Sequence, residues 1–409
     1  MDIFEKCYNY TRVAQAKELG IYPYFHSLSC GQDTEVVMGG HHTYMLGSNN
    51  YLGLTADERV KQAAIEAIEK YGSGCSGSRF LNGTLDIHEK LEEELADFLN
   101  FEACLSFSTG FQSNLAIISA LAGRNDFILC DSMNHASIHD ATRLSFAKTY
   151  KYRHSDMEDL ERRLQMLRNN HPDKGILIVT DGVFSMEGEI CKLPEIVALA
   201  KKYQARTLVD DAHSLGVLGE GGRGTASHFN LEQDVDLVMN TFSKTLASLG
   251  GCVVGERSVI EYIKHTARPF IFSASIPPAQ VAAARKALEI LKAEPWRVER
   301  LHEIVRMVKE RFKAAEHVRL RESGNDLVPI VPLLTGTVGK TLFTSSYLFA
   351  NEVYVNPVFP PVVPADSCLL RTSFMATHTD DQLIKACGII ERCFTEIDSM
   401  DQSKFDLDF

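Results

Sequence analysis

Apolar and polar residues follow two different periods along the chain, and the exchange between them outlines the fold. From about residue 55 to 290, stretches with apolar positions every three or four residues take turns with short, continuous apolar runs. The first period predicts helices over 57–70, 86–99 and 193–203. The runs predict strands over Gly175–Thr180, Arg206–Val209 and Val235–Met239. Such alternation implies an α/β fold, a mostly parallel central sheet with helices on both faces. Pro277-Pro278 opens a helical region over roughly 279–316, interrupted near Pro295. Strands are predicted beyond it over Leu327–Leu334, Tyr354–Val358 and Leu369–Phe374, with helices over 338–350 and 380–397, making a second, smaller α/β unit. Near the start, Ile3, Phe4, Cys7, Tyr8, Thr11 and Ala14 share one face, which predicts a helix stopped by Gly20. Val36–Met45 reads as a hairpin around Gly39-Gly40. The expected division is an N-terminal segment 1–54, a major domain 55–285 and a C-terminal domain 286–409.

Composition narrows the class. Hydrophobic residues make up 45% of the 409 and charged residues 23%, the balance of a soluble globular protein. A net charge of -12 argues against a nucleic-acid partner. Ten cysteines occur without a CxxC pair, so reduced thiols are expected, not a disulfide framework or a metal site. No run approaches the roughly 18 to 20 apolar residues of a membrane span. Met1-Asp2-Ile3-Phe4-Glu5-Lys6 lacks the basic and apolar regions of a secretory signal, so a cytoplasmic protein is expected.

Candidate chemistry gathers at the ends of the predicted strands. Val235–Met239 runs into Asn240-Thr241-Phe242-Ser243-Lys244, with Gly250-Gly251 soon after. Lysines are mostly surface residues; the sharper reading is an amine that forms a Schiff base with a carbonyl cofactor. Thr207-Leu208-Val209 ends in Asp210-Asp211-Ala212-His213. Ligands of parallel sheets lie beyond the carboxyl ends of strands, so Asp210 is placed to face a pocket and pair with a pyridinium nitrogen. The alternative is a turn-capping carboxylate, the role expected for Asp211. Ser108-Thr109-Gly110-Phe111 precedes the apolar helix Leu115–Leu121. Free amides at Gly110 and Phe111 would hold a phosphate, helped by the hydroxyls of Thr241 and Ser243, although a capped helix start looks the same. His135, after the strand Phe127–Asp131, could lie over an aromatic ring or simply sit satisfied in a loop. Ser185, in Asp181-Gly182-Val183-Phe184-Ser185, could donate to a ring oxygen.

The set taken together, with Tyr71-Gly72-Ser73-Gly74, Gly77-Ser78-Arg79 and Asp181–Gly188, resembles the α-oxoamine synthase family of pyridoxal-phosphate enzymes of fold type I, over about residues 20 to 395. The resemblance implies that Lys244 carries pyridoxal 5'-phosphate, that Asp210 pairs with the ring nitrogen, and that His135 stacks on the ring. It implies that His213 and Ser185 lie near the ring oxygen, that Gly110, Phe111, Thr241 and Ser243 hold the phosphate, and that Arg371 binds the amino-acid carboxylate. It further implies a homodimer with shared active sites, in which Asn50, Tyr51, Ser273 and Ala274 reach a neighbour's site. The segments 77–88, 268–275 and 375–379 resemble members that condense L-serine with a long-chain acyl-CoA. Glycine- or alanine-using synthases and a non-catalytic partner subunit are the alternatives. A membrane-derived product would bring peripheral contact with the inner face of the cell membrane.

Overall fold

Continuous Val, Ile and Leu runs suit strands that are buried on both faces. The structure, a computed structural model, describes residues 2–406; the outermost residues of the expected 1–54 and 286–409 segments lie outside them. Two compact units are found, one of Asn49–Leu301 with Ser323–Val328, the other of Met1–Ser48, His302–Glu322 and Pro329–Phe409.

The larger unit holds a seven-stranded sheet built from β1 (Ala103–Phe107), β2 (Phe127–Asp131), β3 (Lys148–Tyr152), β4 (Ile176–Asp181), β5 (Arg206–Asp210), β6 (Leu237–Thr241) and β7 (Gly251–Gly255), beside a small two-stranded one of Val183–Phe184 and Glu189–Ile190. Their spatial order is β1-β7-β6-β5-β4-β2-β3. β7 runs antiparallel to both β6 and β1, and all other pairings are parallel. Every residue of β2, β4, β6 and β7 is buried. Leu105, Ile117, Ile128, Val179, Leu208 and Val253 meet in the core beneath the covering helices. Predicted helices appear as Glu58–Tyr71, Asp86–Leu99 and Leu193–Lys202, and Asp57 caps the first by accepting from Arg59 N. β6 begins later than predicted because Asp236 is drawn out of the ladder: its Oδ2 accepts from Thr207 N at 2.8 Å and Thr207 Oγ1 at 3.0 Å. The register sets Asp181 opposite Asp210, which aligns two carboxylates at the carboxyl ends of β4 and β5.

In the smaller unit, Ile330–Gly336, Cys368–Ser373 and Asn356–Val358 form an antiparallel sheet. The hairpin Glu35–Met38 and His41–Met45 accepts Val353–Tyr354 as a parallel third strand. The single strand predicted over 354–358 is thus two short ones, each in its own sheet. Helices Val338–Ala350 and Asp380–Ser399 follow their predicted positions, the second opened by a Thr379/Gln382 capping box. The helix predicted over residues 1–20 is instead two short pieces, Glu5–Tyr8 and Arg12–Glu18. Asn9, Tyr10 and Thr11 interrupt it, and such residues are weak helix formers. Ile3 and Tyr8 are each 74% exposed, so the apolar stripe gains no packing within this chain that would offset the interruption. Docking falls to Ala16 and Ile21, against Leu342. Gly20 does end the segment, at φ +69°.

Candidate active site

Three strand ends and one helix start converge on a cavity of about 270 Å³ at the carboxyl edge of the sheet. Gly110, Phe111, His135, Ser185, Asp210, His213, Thr241, Ser243 and Lys244 all line it. Larger hollows lie elsewhere in the same unit. One of them, bordered by Asp126, Gly175 and Asp236, sits at the opposite edge of the strands, where a parallel sheet does not bind its ligands.

The helix Gly110–Leu121 points its N-terminus into the cavity, capped by Thr109, whose hydroxyl accepts from Gln112 N at 3.1 Å. Free amides and the helix dipole make this end attractive to an anion. Gly110 is required for the fit: a Cβ there would lie 2.8 Å from Thr241 Cβ and Oγ1. Thr241 Oγ1 donates to Gly250 O at 3.1 Å and lies 2.9 Å from Ser243 Oγ, so both hydroxyls flank the helix start. A phosphate fits this set of amides and hydroxyls.

Lys244 lies in the turn between β6 and β7. Phe242 N donates to Gly250 O at 2.9 Å and Ala247 N to Lys244 O at 3.1 Å. Thr245 Oγ1 donates to Leu215 O at 2.7 Å, tying this turn to the one after β5. Gly216 permits that approach, with φ +72° and no room for a Cβ, which would lie 2.1 Å from Thr245 Cγ2.

Asp210 is buried, with Oδ1 accepting from Ala212 N at 3.0 Å and Oδ2 from Asn114 Nδ2 at 2.7 Å. Asp211 faces away. Its carboxylate accepts from Thr225 N at 2.8 Å and Thr225 Oγ1 at 2.6 Å, and burial pushes its pKa up to about 6. Asp181 is held well above the usual carboxylate range by burial and by the nearby charge of Asp210. It also accepts from His135 N at 2.9 Å, which anchors the turn carrying that histidine. Burial, aided by the Lys244 ammonium and opposed by Asp210, lowers the pKa of His135. A ring nitrogen that is protonated, an aldehyde and a phosphate would each find a counterpart among Asp210, Lys244 and the helix start.

The remaining expected residues are placed as follows. Tyr51 is fully buried, and its hydroxyl is hydrogen bonded to His213 Nδ1 of its own chain at 2.6 Å. Asn50 Oδ1 accepts from Leu54 N at 3.0 Å and Thr55 N at 3.3 Å. Ala274 O accepts from Ser108 Oγ, and Ser273 is half-buried beside it; neither lines the cavity. Arg371 is buried in the smaller unit's sheet, opposite Pro332 on one side and Asn356 on the other. Sequence reasoning missed Asn114 and Ser137, which connect His135 to Asp210. It also gave no role to Arg79, whose guanidinium meets Glu92 at 2.7 and 3.0 Å and Ser106 Oγ at 3.0 Å, bracing the strand before the turn at Gly110. Among the described residues, no helix is long and apolar enough to cross a membrane.

The chain belongs to the aminotransferase class I and II family, matched over residues 42–390. Within that breadth, its likenesses are specific. It is 50% identical over 402 residues to the serine palmitoyltransferase of Sphingobacterium spiritivorum, covering 97% of this chain and 98% of that protein. Identity to the serine palmitoyltransferase of Bacteroides ovatus is 48% over 394 residues, covering 96% and 98%. The 8-amino-7-oxononanoate synthase of Treponema denticola is 44% identical over 386 residues, covering 94% and 96%. A solved structure described as SPT with a PLP internal aldimine superposes with a TM-score of 0.93 at 36% identity, covering 98% of this chain and all of that one. The fold is therefore the fold type I α/β transferase architecture that the strand-end motifs implied.

Proposed function

We propose that the chain is a pyridoxal-phosphate-dependent serine palmitoyltransferase, condensing L-serine with a long-chain acyl-CoA to give 3-oxosphinganine, coenzyme A and carbon dioxide. The observation that carries the cofactor chemistry is the meeting of Lys244, Asp210 and His135 with a helix N-terminus in one cavity. The choice of serine and a long acyl chain rests on the 50% and 48% identity to proteins of that name.

Pyridoxal phosphate, when bound, supplies an aldehyde for an amine and a ring that takes up the electron pair left at the amino-acid α-carbon. Gly110, Phe111, Thr241 and Ser243 hold its phosphate. Asp210 would accept a hydrogen bond from the ring nitrogen and so favour a proton there. His135 would lie against the ring and donate to the serine carboxylate, and His213 and Ser185 would meet the ring oxygen. Lys244 is the amine that would hold the aldehyde, and its free amine would take the α-proton of serine. The α-carbon then forms a bond to the thioester carbonyl carbon, the C–S bond breaks, and coenzyme A leaves as the thiolate, which takes a proton from solvent. Arg371 steers the carboxylate toward loss as carbon dioxide, and Lys244 returns a proton to the α-carbon.

The working form is a cytoplasmic homodimer in which Ser273 and Ala274 reach a neighbour's site, while Asn50 and Tyr51, expected there too, are tied within their own chain, Tyr51 to the cavity residue His213; peripheral contact with the inner face of the cell membrane serves product release. The test is coenzyme A release with a panel of serine, glycine and alanine against acyl-CoA chain lengths. Serine with palmitoyl-CoA is expected to lead, and Lys244→Ala to abolish turnover. Preference for alanine would favour the 8-amino-7-oxononanoate synthase reading suggested by the 44% identical Treponema denticola protein. Normal turnover in Lys244→Ala would overturn the mechanism.

A further inference from the structure

Asn114, Ser137 and Asp210 are buried, with exposures of 0%, 1% and 4%; Ser137 lines the cavity, and neither it nor Asn114 has a part in the chemistry assigned above. They form a chain of hydrogen bonds whose donors and acceptors can be assigned one after another. The Asp210 carboxylate only accepts, so the Asn114 side chain must turn its amide nitrogen toward it, at 2.7 Å. The reverse orientation would set the amide oxygen against a carboxylate. The second Nδ2 proton of Asn114 donates to Ser137 Oγ at 2.8 Å. That leaves the Ser137 hydroxyl proton for His135 Nδ1, 2.8 Å away. Nδ1 also accepts from Ser137 N at 3.3 Å, the cap of the helix Ala136–Leu144. An imidazole nitrogen that accepts twice carries no proton, so the ring proton sits on Nε2.

We infer that Ser137 and Asn114 are positioning residues that hold His135 as the neutral Nε2–H tautomer, so that it offers one donor to the carboxylate of the amino-acid substrate, and that they tie this choice to the Asp210 carboxylate. The inference rests on the serine-using reading above. The lowered pKa of His135 agrees with it. The relay also fixes the ring plane, because Nδ1 is gripped by both the backbone and the side chain of residue 137. Asn114 and Asp210 stand 96 positions apart in the chain, yet Asn114 reaches both the ring-nitrogen partner and the serine that sets the histidine.

The test uses the full chain loaded with pyridoxal phosphate and labelled with 15N-histidine. In the wild type, the His135 nitrogens are expected to give the pattern of a protonated Nε2 and a bare Nδ1. Ser137→Ala is expected to lose that single tautomer and to raise KM for L-serine about tenfold while kcat stays within about threefold, the loss of one oriented hydrogen bond to a charged group. Ser137→Thr keeps a hydroxyl and is expected to restore both. A Ser137→Ala protein with unchanged tautomer and unchanged KM for serine overturns the relay, as does a folded Ser137→Thr protein that behaves like the alanine variant. A wild type whose visible absorption ignores serine overturns the serine reading instead, and the tautomer measurement then judges the relay alone.

Discussion

His154 bridges two carboxylates, and replacing it by glutamine gives a stability effect with a defined pH signature. Its Nδ1 lies 2.9 Å from Asp131 Oδ1 and its Nε2 3.2 Å from Glu189 Oε2. Both ring nitrogens therefore donate, which requires the imidazolium. Burial alone would lower the pKa, but the two carboxylates overcome it and raise it from 6.5 to about 9. A rise of that size corresponds to roughly 3 kcal/mol. His154 keeps 21% and Glu189 27% of its side-chain surface in solvent, so screening reduces the figure to about 1–2 kcal/mol. Because the folded pKa is the higher one, the stabilisation is complete below about pH 6.5, shrinks between 6.5 and 9, and vanishes above. For a chain of this length, that is about 2 °C in Tm. Thermal denaturation of wild type and His154→Gln across pH 6 to 10 should show this gap at low pH closing near pH 9 to 10. A gap of equal size at pH 6 and pH 10 would refute the charged bridge.

Two further outcomes follow from packing and from charge burial. Gly110→Ala should weaken pyridoxal-phosphate binding by roughly tenfold or more, read by fluorescence titration, since the added Cβ lies 2.8 Å from Thr241. Arg79→Gln should cost about 3 kcal/mol in denaturant unfolding, because Glu92 is left charged with only 11% of its side chain in solvent, and Glu92→Gln in the same chain should recover part of that loss.

Strand ends were the most legible part of the chain. β4, β5 and β6 carry the apolar runs Ile176–Val179, Leu208-Val209 and Leu237–Met239 and end in Asp181, Asp210 and Thr241, so burial and the site announce themselves together. Lys244 and His213 could be found because each follows such an end within a few residues. Asn114 could not. It lies four residues inside an apolar helix, where its polarity looks like part of the helix start, and its partners come from remote segments. His154 was silent for a similar reason: Glu189, its second partner, is 35 residues away on a two-residue strand with no period to read. Residues 1–20 misled in the opposite way. Their apolar positions are correctly spaced for a helix, but spacing alone does not supply a surface to pack against.

The one strand that runs backwards changes what kind of object the lysine sits on. Because β7 returns directly beside β6, residues 242–250 close a hairpin, where a parallel neighbour would have required a long crossover. Lys244 is thus clamped at both stems by adjacent rungs of a single ladder. A residue inserted or deleted there has no slack to disappear into, and anyone transplanting this loop between homologous scaffolds would have to carry both of its strands along with it.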